Sequence, residues 1–86
     1  MIKVKTGSGF ECEINENVLD DAEILDVFIE LDDGNPLHIT TAVKKLLRED
    51  YKRLYDHIRT DDDRVPLTAL AQEMTDIISK ASEIKK

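Results

Sequence analysis

"IKVKTGSGFECEI", residues 2–14, decides how the rest of this chain is read. Ile2 and Val4 alternate with Lys3 and Lys5, and Phe10, Cys12 and Ile14 alternate with Glu11 and Glu13. That is a period of two on both sides of Gly7-Ser8-Gly9, the pattern of a β-hairpin with one apolar face over residues 1–15. Lysines of one strand and glutamates of the other can then pair across the ladder, at ~0.2–1 kcal/mol per pair. An isolated hairpin is barely stable in water, so its apolar face has to rest on helices.

The next stretch, "NVLDDAEILDVFIELDDGNP" (17–36), supplies the first of them. Val18, Ala22, Leu25 and Ile29 form one stripe, widened by Phe28 and Leu31, while Glu23, Asp26, Glu30 and Asp33 share another face. This predicts a helix over 18–33 with the first stripe in the core. Asp20 and Asp21 suit its positive end, Gly34 its left-handed stop, and Asn35-Pro36 the cap and first residue of the next helix. Ile39, Val43, Leu46 and Leu47, then Tyr51, Leu54, Tyr55 and Ile58, keep helical spacing through 36–59, as one helix or as two broken near 48–50. Leu67, Leu70, Ala71, Met74, Ile77, Ile78, Ala81 and Ile84 stripe a final helix over 66–84, whose later part could overhang the core as a contact surface. The fold class expected is α+β: a single small domain, 1–86, with an N-terminal β-hairpin packed on a bundle of three or four α-helices.

A chain of 86 residues with 41% hydrophobic composition can bury a core, but only a modest one, about 60–65% of its unfolded surface. There is no apolar run of membrane-spanning length and no basic segment leading into an apolar one, which points to the cytoplasm, without a membrane partner. A single cysteine excludes an intramolecular disulfide and a multi-cysteine zinc site; Cys12 reads as a small buried hydrophobe with no activating base nearby. The net charge of −7 is unevenly spread: between Thr6 and Val43 there are ten acidic residues and no Lys or Arg, whereas 44–59 holds six basic and three acidic residues. Such a balance disfavours nucleic-acid binding, which draws on neutralised phosphates, and suits a soluble protein whose acidic half meets a basic partner.

"YKRLYDHIRTDDDRVP" (51–66) gathers His57 with Asp61, Asp62 and Asp63 and so invites a metal or acid–base reading. Calcium loops need spaced oxygen ligands, a turn glycine and a distal glutamate, none of which follows here, and Val65 precedes a proline; the stretch reads as a helix end and a polar loop. "DDGNP" (32–36) has the aspartates and glycine of a calcium loop without its continuation. His38 and His57 stand apart with no ligand motif between them, and no phosphate loop, zincin pair or nucleophile elbow occurs. No catalytic, cofactor-binding or metal-binding residue is assigned, and no enzyme or cofactor is expected.

Three stretches in order, "SGFECEINENVLDDAEILDVF" (8–28), "GNPLHITTAVKKLL" (34–47) and "LYDHIRTDDDRVP" (54–66), resemble the small tail assembly chaperones of long-tailed phages and prophages of Gram-positive bacteria. The similarity runs over roughly residues 4–80; relatives often carry glycine after the paired leucines, where this chain has Arg48. The resemblance implies a partner, the tape measure protein, whose apolar segments the chaperone keeps soluble during tail assembly. It also implies an elongated frameshifted form in many families, with Lys85-Lys86 compatible with an A-rich slippery site. On this reading the acidic face of Glu23, Asp26 and Glu30, with Met74 and Ile78 as exposed apolar positions of the last helix, meets the partner. Self-association through the last helix is a further expectation. The alternatives are an acidic DNA mimic that inhibits a DNA-binding protein, and a structural or connector protein of the tail.

Overall fold

The structure, a computed structural model, describes residues 1–35 and 37–85. The fold is α+β, an N-terminal antiparallel hairpin packed against helices. Strands β1 (Ile2–Lys5) and β2 (Glu11–Ile14) pair with Ile2 opposite Ile14 and Val4 opposite Cys12. The alternation therefore puts Ile2, Val4, Phe10, Cys12 and Ile14 in the core and leaves both lysines and both glutamates in solvent. The turn closes with the Thr6 amide donating to Phe10 O (2.9 Å) and the Gly9 amide to Thr6 O (3.0 Å). Gly9 has φ +93°, a conformation open to glycine and strained for other residues. Across the ladder, Lys5 and Glu11 approach to 3.9 Å, an exposed pair that contributes little.

The helix expected from residue 18 begins later. Residues Glu16–Asp20 form a 3-10 turn, entered at Asn15, whose side chain accepts the Asn17 amide at 3.0 Å. Asp21 then caps helix α1 (Ala22–Asp32), accepting from the amides of Glu23 (2.9 Å) and Ile24 (3.4 Å). An N-cap carboxylate satisfies two of the four donors that a helix start leaves open, so the boundary falls at Asp21. The expected stop is where it was placed. Gly34, at φ +85°, donates to Leu31 O (3.0 Å), and the Asn35 amide reaches back to Glu30 O (2.8 Å), the two bonds of a Schellman ending. Pro36, expected as a first helical residue, lies outside the described residues, and α2 (Ile39–Leu47) begins only at Ile39, without a side-chain cap.

The stretch 36–59 is not one helix. After α2 comes a 3-10 turn (Arg48–Asp50) and then α3 (Tyr51–Ile58). The break is at Arg48, with φ +54° and ψ −123°, a conformation in which glycine is the unstrained choice. Helix α4 (Leu67–Lys85) follows the 59–66 loop.

The core lies between the hairpin and the helices. Ile39 and Val43 of α2, Leu54 of α3, and Met74, Ile77 and Ala81 of α4 are fully buried, with Ile14 and Val4 above them. Tyr51 and Tyr55 are half-buried at its edge, rings edge-on with centroids 5.3 Å apart. Among the described residues no helix is long and apolar enough to cross a membrane.

Replacing Arg48 by glycine should stabilise the fold. Relief of about 1–3 kcal/mol of backbone strain outweighs the ~0.5–1 kcal/mol entropic cost of glycine. Thermal unfolding of Arg48→Gly followed by circular dichroism should show a rise of about 4–8 °C for each kcal/mol gained. A fall would mean that the arginine side chain itself holds the break.

Candidate docking site

Helix α1 is apolar on more than one side, since Ile24, Leu25, Val27, Phe28, Ile29 and Leu31 all fall within its eleven residues. Two series fit helical spacing, Ala22-Leu25-Ile29 and Ile24-Val27-Leu31. The expected stripe, Val18, Ala22, Leu25 and Ile29 widened by Phe28 and Leu31, is only partly inward: Val18, Phe28 and Leu31 are half-buried, while the fully buried positions of α1 are Ile24 and Val27, which the stripe left out. Leu25 and Ile29, 59% and 54% exposed, stand on the outer crest. The reason is that α1 packs mainly on α2, one of its flanks, so the side turned toward α2 had to be the dry one.

On its other flank α1 stands away from α4 and leaves a groove of about 690 Å³. Phe28, Leu31 and Ala71 give it an apolar floor; Asp32 of α1 and Gln72, Thr75 and Asp76 of α4 form polar walls, and Gly7 and Ser8 of the hairpin tip reach it. The tip is fixed there by a polar clamp. Glu73, 7% exposed on α4, accepts hydroxyl hydrogen bonds from buried Thr6 (3.0 Å) and from Ser8 (2.6 Å) on the same oxygen, Oε1. The Gly7 amide donates to Asp76 Oδ2 at 2.6 Å. Nothing in the sequence pattern singled out Glu73, because a glutamate beside a core methionine reads as a solvated neighbour. Its signal would have been its place on the α4 stripe, four residues before Ile77.

The expected contact residues are dispersed. Met74, expected at the surface, is 0% exposed, because the stripe Leu70-Met74-Ile77-Ala81 faces the hairpin and α2. Ile78 is half-buried against that core. Glu23, Asp26 and Glu30 share one face of α1 as expected, but it is the seam with α2, where they line a small crevice of about 190 Å³ with His38 and Lys45. There Lys45 binds Asp21 (2.8 Å) and Glu23 (2.9 Å), and the His38 ring contacts Glu30 (2.6 Å). The hydrogen bond from Lys45, its largest influence, holds the Asp21 carboxyl below its ordinary pKa, and the two acids hold the Lys45 ammonium above its own. Asp26 alone of the three has no ion pair among the described residues. The acidic face is thus largely satisfied from within.

His57 and the three aspartates do not converge. Asp62 pairs with Arg64 and Asp63 with Arg59, both at 3.1 Å, inside the loop. The loop closes on Thr60, whose amide donates to Arg64 O at 2.8 Å and whose hydroxyl meets Asp62. His57 turns instead to the hairpin, its ring tilted on Phe10 at 5.5 Å and its Nε2 3.1 Å from Ser8 Oγ. The single proton of Ser8 goes to Glu73, so the ring nitrogen donates to the serine. A serine nucleophile needs the opposite direction, with its proton passing to the imidazole. Burial pushes the Cys12 thiol up to about 11, against the lowering influence of Arg53, so it is protonated at neutral pH. The apolar ridge of α1 and the groove beside it form the candidate docking site. No family model, curated protein or solved structure matches this chain.

Glu73→Ala should cost about 2–3 kcal/mol, because two hydroxyls lose a charged acceptor and the Thr6 hydroxyl stays buried. Ser8→Ala should cost about 1 kcal/mol or less, its hydroxyl being exposed. Urea unfolding midpoints of the two variants, at unchanged slope, give the comparison; equal costs would remove Glu73 as the anchor of the hairpin tip.

Proposed function

We propose that this protein is a tail assembly chaperone of a long-tailed phage or prophage, which binds the tape measure protein and keeps it soluble in the host cytoplasm while the tail is built. The reading rests on the ordered resemblance over residues 4–80 and on one observation: a single helix, α1, carries two exposed large apolar side chains next to an open groove. A chaperone for a long helical client needs such a surface, in the mode where a helix lays its apolar face into a groove. Binding, without catalysis, is all this function asks of the chain. The acidic-decoy reading gains no such support, since Asp21, Glu23 and Glu30 are paired with Lys45 and His38 and form no open row of charge.

Co-expression with the tape measure protein of the same phage or prophage, then affinity capture and light scattering, tests the reading. The expected result is a soluble complex with a partner that is insoluble alone. Leu25→Asp with Ile29→Asp should keep the helical spectrum and the unfolding temperature and lose the complex. A partner that stays insoluble beside the wild-type chain would overturn the reading, and detection of the protein in purified particles would favour the connector role instead.

A further inference from the structure

The groove also carries information on which client segments it takes. Its walls contribute three carboxylates, Asp32, Glu73 and Asp76, and no lysine or arginine among the described residues. Glu73 is buried and spent on the Thr6 and Ser8 hydroxyls. Asp76, half-buried on α4, holds the Gly7 amide through Oδ2, which leaves its other carboxylate oxygen without that bond. Asp32 is exposed on the opposite wall and has no ion pair among the described residues. It also sits at the C-terminal end of α1, where the helix field disfavours an anion, so its charge is least stable with nothing opposite. Between these two acids the floor is Phe28, Leu31 and Ala71.

An apolar floor between two anionic walls is complementary to one kind of occupant. We infer that the α1–α4 groove seats an amphipathic helix of the client whose apolar anchors are flanked by lysine or arginine. The inference rests on the chaperone reading and narrows it. Helix α1 is eleven residues long, about 16 Å, so the seat holds roughly three turns. Anchors three and four residues apart would meet the floor and the Leu25–Ile29 crest, and a cation one turn away would reach Asp32 or Asp76. The acids of the α1–α2 seam take no part, since Lys45 and His38 already occupy two of the three.

Two synthetic helical peptides of about 14 residues, four turns, test this with the full chain. Both carry leucines three and four apart; one has lysines beside them and the other glutamates. Fluorescence anisotropy should show the lysine peptide binding about three- to tenfold more tightly at low salt, the yield of two exposed ion pairs. The gap should narrow as salt shortens the screening length to a few ångströms. In Asp32→Lys, which the end of α1 tolerates, the gap should shrink or reverse while the unfolding temperature holds. Equal binding of the two peptides, or a gap untouched by Asp32→Lys, overturns the charge rule. Binding of neither peptide overturns the groove as the seat. If the co-expressed complex forms in either case, the chaperone reading survives and this inference does not; selectivity between the peptides without a complex would have the reverse meaning.

Discussion

A two-stranded ribbon cannot stand in water by itself, and the architecture follows from covering its one apolar face. Ile2, Val4, Phe10, Cys12 and Ile14 need a dry partner, and the chain supplies it chiefly from its far end, α4, with α2 alongside. The hairpin tip is then tied to α4 by Thr6 and Ser8 on Glu73, contacts that span 67 and 65 residues. Loop closure over such a distance costs little more than over half of it, about 0.6 kcal/mol per doubling, so distance in sequence is no obstacle. A carboxylate in that position is tolerable only because both hydroxyls converge on it. Among the described residues the same two hydroxyls have no other acidic acceptor, so the clamp is mutual and fixes how the ribbon sits.

The hairpin was legible because its signal is local: alternation on either side of a glycine-rich turn admits one register and one buried face. The stop of α1 was legible for the same reason, as Gly34 is the residue a left-handed ending demands. The inward face of α1 was not. With Leu25 and Ile29 competing against Ile24 and Val27, two stripes satisfy the same period, and only the position of α2 decides between them. Met74 was misplaced by the converse error. Apolar residues cover more than a third of the turn on α4, so the sequence shows that part of the stripe is buried and not which part.

The break between α2 and α3 shows a different kind of blindness. Helical spacing continues across Arg48, and arginine is a good helix former, so nothing in the pattern forces a stop. The stop is tertiary: α3 packs back against α2 and α4, and its Leu54 enters the core that Leu46 and Leu47 also line. The backbone bends where the packing requires, and Arg48 accepts a conformation that glycine would hold more easily.

The candidate site was hidden for the reason that makes it usable. Single exposed leucines are ordinary on protein surfaces and carry no message by themselves. On α1 they share the helix with Phe28, Leu31 and Asp32, which line a groove, because α1 packs on α2 along one flank and is open along the other. Had α1 closed onto α4, Phe28 and Leu31 would be fully dry and the domain more stable on its own, which at 86 residues would be a material gain. The chain instead keeps that surface half-wet, with Asp32, Glu73 and Asp76 along the groove. A helix laid in the groove would finish the burial that the fold leaves undone. Its binding would then add to the stability of the domain by mass action, about 2.7 kcal/mol at a concentration a hundred times the Kd. The stability of the domain and the affinity for such a helix would then be one quantity divided between two chains.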